Sequence, residues 1–292
     1  MASFTPAKVR GARKGAKMSV LSFMGVVFAG AIAAGLLGSL SGLGGGVVIV
    51  PLLTVGLGVD IRYAIGASLV SVIATSSGAA AAYVREGLTN IRVGMLLEVA
   101  TTVGAVVGAA LATRLRANDL EIVFGIVLLV SVYLTVRLRE QKPSTEVGPF
   151  ARRLKLAGSY RTDGEVVCYS PQRIPLGFGI MGVAGALSGL LGIGSGAVKV
   201  LALDQAMRLP FKVSTTTSNF MIGVTAAASA GIYLHRGFIE PAIAVPVMLG
   251  VLAGSLVGAR LLVSLRSSVL RLVFSVAIFG LGVEMIVSGL RM

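Results

Sequence analysis

Residues 18–59 contain no Asp, Glu, Lys or Arg, and neither do residues 63–84, 213–234 or 241–259. About 20 consecutive apolar residues are enough for a helix to cross the hydrocarbon core of a bilayer. Charged residues make up 13% of the chain and hydrophobic ones 55%, against roughly 25% charged in an ordinary soluble domain. A soluble core of 292 residues has no use for so much apolar surface. The pattern predicts an all-α polytopic membrane protein. Its 39 glycines agree, because small residues let helix backbones approach closely in lipid.

A net charge of +14 would suggest nucleic acid as the partner of a soluble protein. Here the basic residues flank the apolar runs, which favours membrane orientation and no nucleic acid. Lys8, Arg10, Arg13, Lys14 and Lys17 precede the first run, and Arg137, Arg139, Lys142, Arg152, Arg153, Lys155, Arg161 and Arg173 populate a central polar stretch. Both regions are expected to be cytoplasmic, in a bacterial-type inner membrane. The basic start followed by an apolar run resembles a signal peptide. The run 18–40 exceeds the usual apolar region of about 7–15 residues and is expected to be a retained helix. With Cys168 as the single cysteine, no intrachain disulfide is possible.

Adding 150 to a residue number in the first half lands on a related residue in the second, without a gap. Gly42, Gly44 and Gly46 map to Gly192, Gly194 and Gly196, and Ser68 and Thr75 map to Ser218 and Thr225. Tyr83, Gly104, Arg116 and Phe124 map to Tyr233, Gly254, Arg266 and Phe274. Aromatic and basic matches in one register set this apart from chance matching in a Gly-rich chain, and predict two homologous repeats.

Each repeat holds five apolar segments, at 18–40, 46–58, 63–84, 93–113 and 122–136, then at 174–191, 196–207, 213–234, 241–262 and 272–290. Residues 18–59 as one helix would be about twice the bilayer thickness, so a break is expected at Gly42–Gly46, where glycine tolerates a sharp change of direction. The expected organisation is a basic N-terminus at 1–17, a first repeat at 18–138, a cytoplasmic loop at 139–173 and a second repeat at 174–290. Each repeat would have about four crossings plus a short re-entrant half-helix. Two inverted five-segment repeats are the alternative.

The chemistry is expected at the glycine stretches around Gly44 and Gly194. Broken backbone at membrane depth is tolerated only when buried in protein or lining a wet cavity, and half-helix starts suit a small anion. A dry glycine packing seam is the competing explanation. No Gly-Lys-Ser/Thr follows either stretch, and no dinucleotide fingerprint is present. Hydroxyls cluster nearby at Ser68, Ser71, Thr75, Ser76 and Ser77, and along Ser214, Thr215, Thr216, Thr217, Ser218 and Asn219. They either donate to an anion or bond back to their own helix. Three charges fall inside spans: Glu98, Lys199 and Glu284. Such charges are costly in lipid and mark functional candidates. Lys199 either neutralises an anion or snorkels, and Glu98 and Glu284 are expected to be interfacial or paired rather than proton carriers. His235, beside Arg236, is expected in a solvated turn. One His, one Cys and no clustered carboxylates give no metal site and no catalytic grouping, so neither enzyme activity nor a cofactor is expected. The anion-binding candidates are Gly44, Gly45, Gly46 and Ser68 from the first repeat and Gly194, Ser195, Gly196, Lys199, Thr216, Thr217, Ser218 and Asn219 from the second.

At the two glycine stretches, Gly42-Leu-Gly-Gly-Gly-Val-Val-Ile-Val-Pro-Leu52 and Gly192-Ile-Gly-Ser-Gly-Ala-Val-Lys-Val200, and at Thr217-Ser-Asn-Phe-Met-Ile-Gly-Val-Thr-Ala226, the chain resembles the TauE/SafE family of sulfite and organosulfonate exporters. The polar stretch from Gly158 to Tyr169 is similar to that family's cytoplasmic insertion. Ser195 stands where a third central Gly is expected, and Leu201 where the family usually has Pro. The resemblance implies transport of small sulfur-containing anions such as sulfite or sulfoacetate, and no catalytic turnover. The residues themselves imply a secondary transporter of a small anion in the bilayer, with proton coupling as a candidate drive. An anion channel and a non-transporting scaffold are the alternatives.

Overall fold

The computed structural model describes residues 20–41, 45–85, 87–137, 146, 148–162, 165–262 and 267–291. The N-terminal stretch 1–17 and Gly44 lie outside the described residues. Eleven α-helices are described. These are α1 (Val20–Ser41), α2 (Gly46–Pro51), α3 (Ile61–Arg85), α4 (Ile91–Ala112), α5 (Ala117–Arg137), α6 (Pro149–Arg153), α7 (Ile174–Leu191), α8 (Gly196–Leu201), α9 (Phe211–His235), α10 (Pro241–Leu262) and α11 (Ser267–Arg291). The short α2 and α8 each continue into one π-helical turn, Leu52–Gly56 and Ala202–Ala206. Of the described helices, α4 and α7 are long and apolar enough to cross a membrane, with shorter apolar stretches at Ser22–Leu36, Gly46–Gly56, Ile61–Ser77 and Pro241–Val257.

Glycine seams fix how the long helices pair and in which direction. A Cβ added at Gly104 would lie 2.1 Å from the Gly182 carbonyl oxygen, and one at Gly108 would lie 2.0 Å from that of Ala186. In return, Gly185 and Gly189 face the Thr101 and Ala105 carbonyls at 2.1 and 2.0 Å. Four small residues at spacing four thus interlock α4 with α7, as expected where lipid offers no hydrophobic drive between helices. Partners on α7 rise in number with those on α4, so the two helices run parallel. The same holds for α1 and α10, where Gly250 meets Phe28 and Gly254 meets Ile32. The α5–α11 pair is antiparallel, since Gly125 meets Gly282 while Gly289 meets Asn118.

The central crossing is made by α3 and α9, also antiparallel. The Thr216 hydroxyl near the start of α9 donates to the Leu88 carbonyl beyond the end of α3, at 2.9 Å. Reciprocally, the Phe238 carbonyl beyond the end of α9 sits where a Cβ on Gly66, near the start of α3, would be 2.3 Å away. Helix α4 runs parallel to α9, with Gly94 beside Thr217 and Glu98 beside Thr225. Since α10 turns back from α9 through residues 236–240, α1 and α7 point in opposite directions.

The two ends of the bundle carry different connections. At one end, Arg62 donates to the Leu115 carbonyl at 2.6 Å and lies 5.6 Å over the Phe238 ring. At the other, the central polar stretch folds into α6 and an antiparallel hairpin of β1 (Gly158–Thr162) and β2 (Glu165–Tyr169), with Tyr160 opposite Val167. The described fold is all-α, as expected, with this hairpin as a small addition in the central stretch. Asn90 docks it: its Nδ2 donates to the Leu156 carbonyl at 3.0 Å and to the Tyr169 hydroxyl at 3.2 Å, while its Oδ1 caps α4 by accepting from the Val93 amide at 3.1 Å. Asn is a favoured N-cap because it satisfies an otherwise unpaired helix-start amide. Burial pushes the Tyr169 hydroxyl above its usual acidity range, against the opposing effect of Asn90.

Candidate functional site

The backbone between Leu191 and Gly196 is broken by three left-handed residues, Gly192 (φ 68°), Gly194 (φ 68°) and Ser195 (φ 45°). Glycine reaches this region at no steric cost, which explains why a third glycine is expected at position 195. Ser195 holds the conformation while its hydroxyl donates to the Ala184 carbonyl at 2.5 Å. Leu201 ends α8 at φ −59°, close to the −61° of Pro51 at the end of α2. The missing proline therefore leaves the helix-to-π transition in place.

The start of α2 and the break before α8 meet inside the protein, while residues 42–44 of the first expected break lie outside the described residues. The Ser68 hydroxyl on α3 donates to the Gly192 carbonyl at 2.8 Å. A Cβ added at Gly46 would lie 2.7 Å from Ser68 Oγ and 3.1 Å from the Gly192 oxygen. Gly45, Gly46, Ser195 and Gly196 are all buried.

Lys199 is 0% exposed and does not snorkel. Its ammonium donates to Thr225 Oγ1 at 2.6 Å, and Thr225 Oγ1 lies 2.7 Å from Glu98 Oε1. Glu98, 6% exposed, is thereby paired with Lys199 through a hydroxyl from α9. Thr102 also donates to Glu98 Oε1, at 3.2 Å. Glu98 Oε2 is buried with no hydrogen-bond partner among the described residues. Of the other charges, Glu284 is exposed on α11, and His235 is exposed at the end of α9.

The hydroxyl run on α9 divides by role. Thr216 is bonded to Leu88, and Thr217 Oγ1 accepts from the Asn90 amide at 3.1 Å. Both residues tie α9 to the α3–α4 turn. Ser218 donates to the Gly196 carbonyl at 3.5 Å, Thr215 Oγ1 is buried without a partner among the described residues, and Asn219 is half-buried. Sequence reasoning missed Thr225 as a site residue. The signal for it was its match to Thr75 on the helix that carries the hydroxyl run. It also passed over Glu121 and Asp204, which are buried.

Residues 27–285 match the family described as sulfite exporter TauE/SafE. The chain belongs to the TauE/SafE family. Within it, the chain is similar to the probable membrane transporter protein YunE of Bacillus subtilis, 28% identical over 92% of this chain and 99% of that protein. It is also 28% identical to YdhB of the same organism over 75% of this chain and 82% of that protein, and 24% identical to a probable membrane transporter protein of Xylella fastidiosa over 92% and 97%. No solved structure matches. This TauE/SafE protein is a helical membrane transporter and not an enzyme.

Proposed function

We propose that the protein is a secondary transporter of small sulfur-containing anions, sulfite or organosulfonates such as sulfoacetate, bound where the two helix breaks meet. The observation that carries this is Lys199, a fully buried cation directly behind the Gly194–Gly196 break. A buried charge is retained only where it is paired or used. Lys199 supplies the charge for the anion. The buried backbone of Gly45 and Gly46 on one side, and of Gly194, Ser195 and Gly196 on the other, surrounds it with amide dipoles, and Gly44, outside the described residues, is proposed to add to the first side. Thr215, Ser218 and Asn219 supply further donors, whereas Thr216, Thr217 and Ser68 act by holding the site's walls together. The sulfur chemistry of the substrate comes from the family.

The experiment is uptake and efflux of labelled sulfite, sulfoacetate and methanesulfonate by the purified protein in proteoliposomes. Saturable flux is expected. A charge-assisted contact contributes about 1.5–3 kcal/mol, so Lys199→Ala should weaken apparent affinity roughly ten- to a hundredfold, with Lys199→Arg less harmful. Equal affinity in the Ala variant would remove Lys199 from the site.

The helix directions support two repeats of inverted orientation, since α3 opposes α9 and α1 opposes α7. On this reading the start of α1 and the described part of the central stretch, from Gly148 to Arg173, lie on opposite faces, an alternative to the expectation that residues 1–17 and 139–173 are both cytoplasmic. The central stretch, the α8–α9 turn with Arg208 and Lys212, and the α10–α11 connection with Arg260 and Arg271 share one end. That end carries the larger basic excess and is assigned to the cytoplasm of a bacterial inner membrane. In a Cys168→Ser background, Glu146→Cys should label only after permeabilisation and Ser3→Cys should label in intact cells. Labelling of both from one side would sink the inverted arrangement.

A further inference from the structure

The buried polar triad of α4, α8 and α9 holds more than an anion site needs. Among the described residues, Lys199 carries the cationic side chain that faces Glu98, and Thr225 stands between them. Helix α7, which packs along α4, has no ionisable side chain, and α9 presents Thr225 at this level. Ammonium and carboxylate therefore sum to zero charge when the site is empty. A monovalent anion entering beside Lys199 would bring one uncompensated negative charge into a buried space, which is strongly disfavoured. Glu98 has a feature suited to removing that charge: Oε2 is buried and lacks a hydrogen-bond partner among the described residues, so one lone-pair site is open to a proton.

We propose that Glu98 is the proton-coupling residue of the transporter, taking up one proton at Oε2 for each monovalent anion bound at Lys199, so that proton and anion cross together without net charge. The proposal rests on the transport reading above and adds the coupling ion and stoichiometry. The proton comes from water at whichever end is open, and an O–H bond forms on the carboxylate. Nothing else is oxidised, reduced or transferred. With Glu98 neutral, the Thr225 hydroxyl is released to turn towards the Met221 carbonyl, 2.8 Å away. The Lys199 ammonium then presents its charge to the anion instead of to the carboxylate. On the opposite side the anion leaves first, and the re-formed Lys199–Glu98 attraction expels the proton.

The test uses the full-length protein in proteoliposomes loaded with a pH-sensitive dye, with methanesulfonate as the monovalent probe. Acid outside should drive accumulation, and each entering anion should acidify the lumen by one proton with no net current. Glu98→Gln mimics the protonated carboxyl. It should exchange methanesulfonate without pH dependence and lose gradient-driven accumulation, falling to the level of protein-free liposomes. Thr225→Val, which keeps the carboxyl but removes the bridge, should shift the pH dependence of accumulation. Accumulation by Glu98→Gln equal to that of the parent, or parental anion flux that leaves lumen pH unchanged, overturns the proposal. If Glu98→Gln does not fold, the lumen-pH record of the parent protein decides alone. Absence of any parental flux refutes transport of this anion, and the coupling scheme falls with it.

Discussion

Replacing Lys199 with methionine tests whether the Lys199–Thr225–Glu98 chain is one energetic unit. Methionine keeps the length of the stem and removes the charge, leaving a 6% exposed carboxylate with only hydroxyl donors. Removing one partner of a buried pair typically costs about 3–5 kcal/mol. The orphaned carboxyl has a cheaper escape in taking a proton, which at pH 7 costs a carboxyl of ordinary acidity at most about 4 kcal/mol. A loss of about 3 kcal/mol at pH 7 is therefore expected, shrinking to about 1 kcal/mol near pH 5. The sign follows from proton counting: the folded variant binds a proton that the unfolded chain lacks, so its stability rises as pH falls. The double variant Glu98→Gln/Lys199→Met has no charge left to strand and should recover most of the loss, giving a coupling of about 2 kcal/mol or more. Thermal unfolding of the purified proteins in detergent at pH 5, 7 and 8 reads this directly. Single losses that simply add in the double variant, or a Lys199→Met deficit that does not shrink on acidification, would refute the pairing.

Gly108→Leu should separate α4 from α7, because its first side-chain carbon already meets backbone at 2.0 Å. A loss of about 1–3 kcal/mol or failure to give monodisperse protein is expected, while Gly231→Ala, with open space around it, should be near neutral by the same assay. Ser195→Ala keeps a left-handed non-glycine residue and loses its bond to Ala184, costing about 1 kcal/mol. Ser195→Gly exchanges that bond for backbone freedom and should stay within about 0.5 kcal/mol of the parent by thermal unfolding. Asn90→Ala removes the cap of α4 and both hairpin contacts, and should cost about 1 kcal/mol and speed proteolysis between Gly148 and Arg173.

Much of the bundle was legible because each long segment had to be apolar and each seam had to be small. The boundaries of α7, α10 and the Leu191–Gly196 break follow from composition alone. The hairpin was not legible, since a strand pair standing on the α3–α4 turn has no lipid-imposed hydrophobic pattern. The relative direction of the two halves was hidden as well. Basic residues at 1–17 and 139–173 pulled towards one side, while the steric marks of direction, such as Gly66 under Phe238 and Thr216 under Leu88, are contacts between remote residues. Lys199 stood out because a lone charge in an apolar run is conspicuous. Glu98 stood out for the same reason, but its partner could not be named, because Lys199 and Thr225 lie on other helices. Thr216 and Thr217 looked like ligand donors because the sequence records the hydroxyls and not the turn that engages them.

The glycine seams constrain how such a machine can move. Backbones locked at these distances cannot slide without a clash, so α4 must travel with α7, and α1 with α10. Each of these rigid pairs takes one helix from the first half of the chain and one from the second. On the proposed transport reading, bodies that rock to expose the site would therefore be not the two sequence halves but two chimaeras of them, meeting at the α3–α9 crossing. A chain cut between the halves would separate every seam partner at once, so neither fragment is expected to insert as a stable bundle without the other.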